Sequence, residues 1–360
     1  MLTALDTAFG RSNLMGFIPR FQNREATPIK DIYTSQGRYV TGALGESVGV
    51  DYRDMSRKLG TSASLEAPAV AAHVEGDDVQ YHSWQEFFET SFIPSTKIYL
   101  DLRQPGMVDG NRAAFEIGWR LEHLFKRLNL AMEFSCAEHL MNVNGLTFSS
   151  TVAPGTTVPF TKRYTDAAGN GIRAFTVGAS WATAGTKIIT GAAELQSIEN
   201  TLSNAEGKEV GTFIFGRKVR DYFIGNTEVK DWFQRTPQGL QLFTDRNLNG
   251  LAGVSMWREM NHVYEDQNGN ATKFVVDDRF CVLPSQLEDV LQFWEGQVDV
   301  PADQFVGQPN PGQIQLVNGP AVYATIETNP PGIRIFLRHR YLPVVTRPRA
   351  ITLIADVTAP

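Results

Sequence analysis

The sequence has 360 residues, 42% of them hydrophobic and 20% charged, which suits one or two folded domains and is too apolar for a disordered chain. A formal net charge of -6 and a pI near 5.6, with no basic stripe or tail, exclude a chain that grips nucleic acid through many phosphate contacts. Cys136 and Cys281 lie far apart, which excludes a disulfide framework and a thiolate metal site and suits a reducing cytoplasm.

The start, MLTALDTAFGRSNLMGF, has no basic segment followed by a long apolar one, so no signal peptide is expected. No stretch approaches the ~18 consecutive apolar residues of a membrane span. A short amphipathic beginning (Leu2, Leu5, Ala8, Phe9) leads through Pro19 and Pro28 into a glycine-rich run over 36–80. Arg38–Thr41 and Ser47–Tyr52 alternate like strands, yet this part carries too little apolar surface for a core of its own. Ordering backbone costs ~1–2 kcal/mol per residue, so the first 95 residues are either a flexible tail or an arm and a projecting hairpin that neighbouring subunits bury.

Asn111–Met141 is proline-free, and Ala114, Ile117, Gly118, Leu121, Phe125, Leu128 and Met132 repeat at helical spacing. Glu116–Arg120 and Glu122–Lys126 add i,i+4 pairs, and the helix, ended by Asn144-Gly145, would be roughly 45 Å long. Beyond it the pattern is mixed α/β. Strands are expected at Leu146–Ser150, Phe175–Ala179 and Gly211–Gly216, and a helix at Ile188–Asn204 closed by Gly207. Lys218–Phe223 and Glu228–Gln234 read as helix and turn. Val254–Tyr264 and Ala271–Val276 form a hairpin around Asn268-Gly269, 299–320 is a loop, and Ile333–Leu337 and Ile351–Val357 are closing strands.

Patterns that carry catalysis fail in turn. Asp245, Asn247, Asn249 and Gly250 copy the front of a calcium loop, but Met256 stands where a bidentate Glu is required. Gly169, Gly171 and Ala174 match a dinucleotide fingerprint in spacing, yet they precede strand-like residues where a helix is needed. Gly207-Lys208 lacks the rest of a phosphate loop, and neither a Gly-x-Ser-x-Gly nor a His-Glu-x-x-His sequence occurs. His123 and His139 fall about 160° apart around their helix, which suits surface and packing roles and not a shared metal. Cys136 reads as a buried small residue, and Tyr222, Phe223, Trp232 and Phe233 as core. Arg334, Arg338, Arg340, Arg347 and Arg349 crowd the last strands, the first three on one face by period two. That cluster suits a phosphate patch or pairing with carboxylates of a neighbouring subunit, and the pattern favours the second.

Three stretches carry a family resemblance. Thr212–Val219 with Phe223–Lys230 resembles an apolar strand, helix and "N-P-E-V" turn, with Thr227 in place of the usual proline. Val263–Gly269, Phe274–Asp278 and Val282-Leu283-Pro284 resemble a hairpin and the strand after it. Pro331-Gly332-Ile333, Leu342–Val345, Arg347-Pro348 and Ile351–Val357 resemble closing strands. In order and spacing over about 100–360 they resemble the tailed-bacteriophage major capsid proteins of the phage lambda capsid protein E family.

The resemblance implies an α+β fold of the Hong Kong 97 type. It places an N-terminal arm at 1–35, an extended loop at 36–95 and a peripheral domain with spine helix at 96–145. An axial domain follows at 146–325, and C-terminal strands at 326–360 return to the peripheral domain. Glycine-rich joints near 37–49 and 104–110 would let one sequence form hexamers and pentamers. It further implies a non-enzymatic shell protein with no cofactor and no membrane partner. The chain would assemble in the bacterial cytoplasm, end in the virion and enclose double-stranded DNA without sequence-specific binding. Its partners would be many copies of itself, with portal, scaffold and decoration proteins. Candidate contacts between copies are Arg38, Arg53, Arg57, Arg334, Arg338, Arg340, Arg347 and Arg349. An encapsulin-like compartment around protein cargo is the alternative of the same fold, and a hydrolase the alternative of another class.

Overall fold

The computed structural model describes residues 27–43, 45, 47–53, 77–94, 109–143, 146–153, 156–162, 164–165, 169–190, 194–234, 256–265, 269–301 and 314–359. The amphipathic beginning at 2–9, Arg57, the 104–108 joint and most of the calcium-like loop lie outside them. The first described element is a single helical turn, α1 (Pro28–Asp31), which continues as a π-helical turn through Ile32–Gln36. Ile29, Ile32 and Tyr33 within it are fully buried. A strand, β1 (Arg38–Ala43), follows, and then a two-stranded ribbon of β2 (Ser47–Arg53) and β3 (Asp77–Ser83). Only Trp84 separates the ribbon from β4 (Gln85–Pro94).

The expected long helix is present as α2 (Asp109–Met141), ending three residues before Asn144. Its stripe is buried at Ile117, Leu121, Phe125, Leu128 and Met132, and widens at the C-terminal end to Cys136, Ala137, Leu140 and Met141. Glu116 and Arg120 form the expected i,i+4 pair at 3.0 Å. A second ribbon joins β5 (Leu146–Ala153) to β6 (Thr156–Lys162).

The next region is built on a five-stranded sheet. Its strands are β7 (Arg173–Ala174), β8 (Val210–Phe215), β9 (Met256–Glu259), β12 (Phe280–Pro284) and β17 (Thr352–Ile354), in the order β7-β17-β12-β8-β9. Three helices lie with it: α3 (Leu195–Glu206), α4 (Arg217–Gly225) and α5 (Thr227–Gln234). Trp181, Phe213, Phe215, Phe223 and Phe280 make its aromatic core. Several sequence expectations are corrected here. Phe175–Ala179 is irregular and only Arg173–Ala174 pairs, because after Phe175 bonds to Leu353 the chain leaves β17. The helix expected from Ile188 starts at Leu195: the Ile188 and Ile189 carbonyls accept the N–H groups of Leu195 and Gln196, seven residues on, where a helix would use those four on. Gly207 does close it, in the left-handed region at φ 66° where a side chain would be strained. Met256–Glu259 joins β8 in parallel, so the hairpin is confined to β10 (Val263–Glu265) and β11 (Ala271–Lys273).

The other sheet has six strands. Its path runs β1, β13 (Leu291–Pro301), β16 (Pro331–Val345) and β15 (Ala321–Thr328), with β14 (Ile314–Asn318) on β13 and β4 on β16. The loop expected at 299–320 is therefore shorter: Asp299–Pro301 and Ile314–Asn318 pair with each other, backbone bonding that composition does not reveal. β16 extends eight residues past the expected Leu337, whereas the expected strand Ile351–Val357 keeps only Thr352–Ile354. α2 and the 28–36 segment pack on one face of this sheet and close the larger core. What covers residues 28–43 and 85–94 is thus the chain's own helix and sheet.

Candidate functional site

Strand β16 sends alternate side chains to opposite faces, the geometry of any extended strand. Ile333, Ile335, Leu337, His339 and Tyr341 are buried on the α2 side, while Arg334, Phe336, Arg338 and Arg340 stand on the other. Registry then decides their neighbours. Arg334, Arg338 and Arg340 lie opposite Phe92, Phe88 and Glu86 of β4, and Phe336 lies opposite Tyr323 of β15. Tyr323 and Phe336 stack at 4.7 Å, Phe88 and Phe336 at 5.8 Å. The Arg338 and Arg334 guanidinium groups sit 5.7 and 5.6 Å from the Phe88 and Phe92 ring centres. Phe88 is nevertheless 53% exposed. The result is a flat face of alternating arginine and aromatic rings.

The carboxylates that these arginines meet belong to the same chain. Arg334 is paired with Glu327, at 3.0 Å for one of its two bonds. Arg338 reaches Glu86 and, at 2.8 Å, Asp299, and Arg340 lies 3.6 and 3.5 Å from the same two groups. Arg338 and Arg340 also donate to the Asp299 and Gln297 carbonyls, closing the gap where β13 diverges from β16. Although partial burial raises the Asp299 carboxyl, its hydrogen bond to Arg338 together with the Arg338 and Arg340 charges outweighs this and holds it below the usual range.

The remaining predicted arginines are not brought to this face. Arg347 pairs with Asp289 at 3.2 Å, which also takes Lys208 at 2.7 Å, and Arg349 lies close enough to Arg173 to disfavour its charge. Arg38 is exposed on β1, and Arg53 ends β2 opposite Asp77 in the ribbon's register. Sequence reasoning missed Glu86, Asp299, Glu327 and the rings of Phe88 and Tyr323. The alternation Glu86, Phe88, Thr90, Phe92 was the available signal, matching the period of Arg334–Arg340.

On the α2 side of the sheet a buried polar group ties β1 down. Tyr39 donates to Glu295 at 2.6 Å, and His339 Nε2 lies 3.5 Å from the other carboxylate oxygen. Burial would raise the Glu295 carboxyl, but His339 and Tyr39 outweigh it and hold the group below its ordinary range. Both expected roles for histidine on α2 are present: His123 is exposed against Trp119, and His139 is buried beside Tyr164. Cys136 is buried and its thiol is pushed up by burial, which makes it inert. Among the described residues no group of three or more His, Cys, Asp and Glu side chains is arranged to hold a metal, and no helix is long and apolar enough to cross a membrane. The contacts of the described surface centre on the arginine and aromatic face of β16 and β4.

Comparison with known proteins bears on what those contacts are for. Residues 44–354 match the family model described as phage major capsid protein E. No curated protein matches the sequence. Among solved structures, a prophage protein of E. coli CFT073 described as a capsid protein is 11% identical with a TM-score of 0.59, over 96% of this chain and 98% of that one. A phage-related protein of Bordetella bronchiseptica RB50 is 12% identical with a TM-score of 0.53, over 96% and 97%. The capsid of cyanophage P-SCSP1u gives 12% and 0.52, over 92% and 88%. At such identities the likeness is one of fold, and it extends along nearly the whole chain.

Proposed function

The chain belongs to the phage major capsid protein E family, and from that premise we propose how its parts build a shell. As a member it is a phage major capsid protein, a structural component of the virion and not an enzyme. Its copies form hexamers and pentamers that close into the icosahedral head of a tailed phage around double-stranded DNA. In this reading residues 1–35 are the arm, 36–95 the extended loop and α2 the spine helix. The five-stranded sheet, four of its strands within 146–325 and the fifth being β17, is the axial part, and β16 returns to the sheet on the spine. The family match over residues 44–354 carries this reading. Two features support it: a ribbon, β2–β3, that pairs with no third strand among the described residues, and an arginine-aromatic face on which the Phe88 ring is exposed.

Arg38, Arg53, Arg57, Arg334, Arg338, Arg340, Arg347 and Arg349 are the proposed contacts between copies. Internally paired arginines still keep donors for a neighbour, since each guanidinium carries five. Obligate interfaces bury ~2,000–5,000 Å², enough to offset the ordering of an arm and loop. The acidic balance suits a container that holds DNA without gripping it. Portal, scaffold and decoration proteins are the further partners. Expression of the chain alone, with sedimentation and negative-stain microscopy, tests the proposal. Rings, sheets or shells far above the 40.0 kDa chain mass are expected. A compact monomer that persists at high concentration with scaffold present would overturn it, and shells filled with an enzyme would mark a compartment instead.

A further inference from the structure

The segment 27–36 is held on the long helix by one buried carboxylate. Glu133 is 1% exposed, and its two oxygens accept the Ile29 and Lys30 N–H groups at 2.9 and 2.8 Å. Those groups belong to the first turn of α1, whose donors have no partner within the helix. Ile29, Ile32 and Tyr33 are buried around the contact, so the carboxylate is shut from water while the segment is docked. Its departure would expose both. β1 follows immediately, so this joint fixes the path by which the N-terminal part of the chain reaches the six-stranded sheet.

We propose that Glu133 is a proton-controlled latch, holding residues 27–36 on the helix most firmly when its carboxyl is protonated and loosening them when it is ionised. Burial raises the carboxyl to about 7, against the opposing effect of the two backbone hydrogen bonds. The other charged and titratable groups facing it are Lys30 and Asp31 on the segment and Cys136 on the helix. Lys30 favours the ionised form and also faces Glu295, while Asp31 favours the neutral one. Arg258 is turned to the Pro28 carbonyl at 3.3 Å. With a docked value above the free one of 4.5, the proton's contribution to docking is complete below pH 4.5 and is lost as pH rises through about 7.

Amide hydrogen exchange on the full chain, corrected for the intrinsic rate at each pH, tests this between pH 5.5 and 8.5. Protection of residues 29–36 should fall by about tenfold or more over that range, while β8 and β12 stay level. Glu133→Gln, which cannot ionise, should give a flat profile for the same peptide. A flat wild-type profile overturns the latch, and needs no variant. So does a parallel loss in β8 and β12, which would mark global unfolding. A wild-type slope retained by Glu133→Gln overturns it as well, by placing the proton elsewhere.

Discussion

The two faces of the six-stranded sheet come from the same strands, yet they obey different rules. On the inner face Ile333, Ile335 and Leu337 are sealed under the long helix, and polar side chains are few and partly matched, as where Ser135 donates to Gln85. On the outer face Arg334, Phe336, Arg338 and Arg340 are only half-buried, with carboxylates and rings arranged around them. Burying an aliphatic side chain is worth ~1.5–3 kcal/mol, whereas an exposed ion pair yields ~0–1. The inner face therefore makes the subunit fold, and the outer face, the one proposed for contacts between copies, contributes little to folding.

Substitutions should separate the two. The largest effect is expected from Leu337→Ala on the inner face: urea unfolding of the subunit should show a loss of ~2–5 kcal/mol, with assembly lost as a consequence. A loss below ~1 kcal/mol would mean that the helix-sheet packing is not what holds the subunit. Tyr39→Phe should cost ~1.5 kcal/mol at neutral pH, because it removes a hydrogen bond to an ionised carboxylate. Glu295 is held below its ordinary value of 4.5 in the folded chain, so its contribution is present above that pH and lost as pH falls through the lower folded value. Wild type and Tyr39→Phe should accordingly converge in acid, and unfolding curves that stay parallel would remove Glu295 from the account. Smallest in stability is Phe88→Asp on the outer face, expected to change subunit unfolding by ~0.5 kcal/mol or less while reducing the yield of closed particles seen by microscopy. Normal particles from that variant would show that this face is not used between copies.

The expected elements that hold are those whose signal is local. The stripe from Ile117 to Met132 needs only helical periodicity and one apolar side, and Gly207 ends α3 because a left-handed residue must. The errors lie where a distant group intervenes. Ile188–Thr190 are helical in pattern, but Glu228, some forty residues on, holds Ile189 and Thr190 by their N–H groups, and the Ile188 and Ile189 carbonyls bond seven residues ahead and not four. The segment 299–320 reads as loop from its prolines, glycines and glutamines, but β14 supplies Asp299–Pro301 with a ladder. At the candidate surface the period-two row of arginines was legible, while its partners Glu86, Asp299 and Glu327 come from three other strands.

By itself the sequence determined that the chain folds, that one helix serves as its strut, that catalytic motifs are lacking, and through three ordered stretches which family it joins. The first three follow from composition and from spacing along the chain, and the family from resemblance. Only the tertiary structure decided that residues 28–36 belong to the subunit's own core, that a single buried carboxylate at position 133 holds them there, and which carboxylate each arginine meets. Those depend on pairing across tens to hundreds of residues, where the register of one strand against another selects the neighbours.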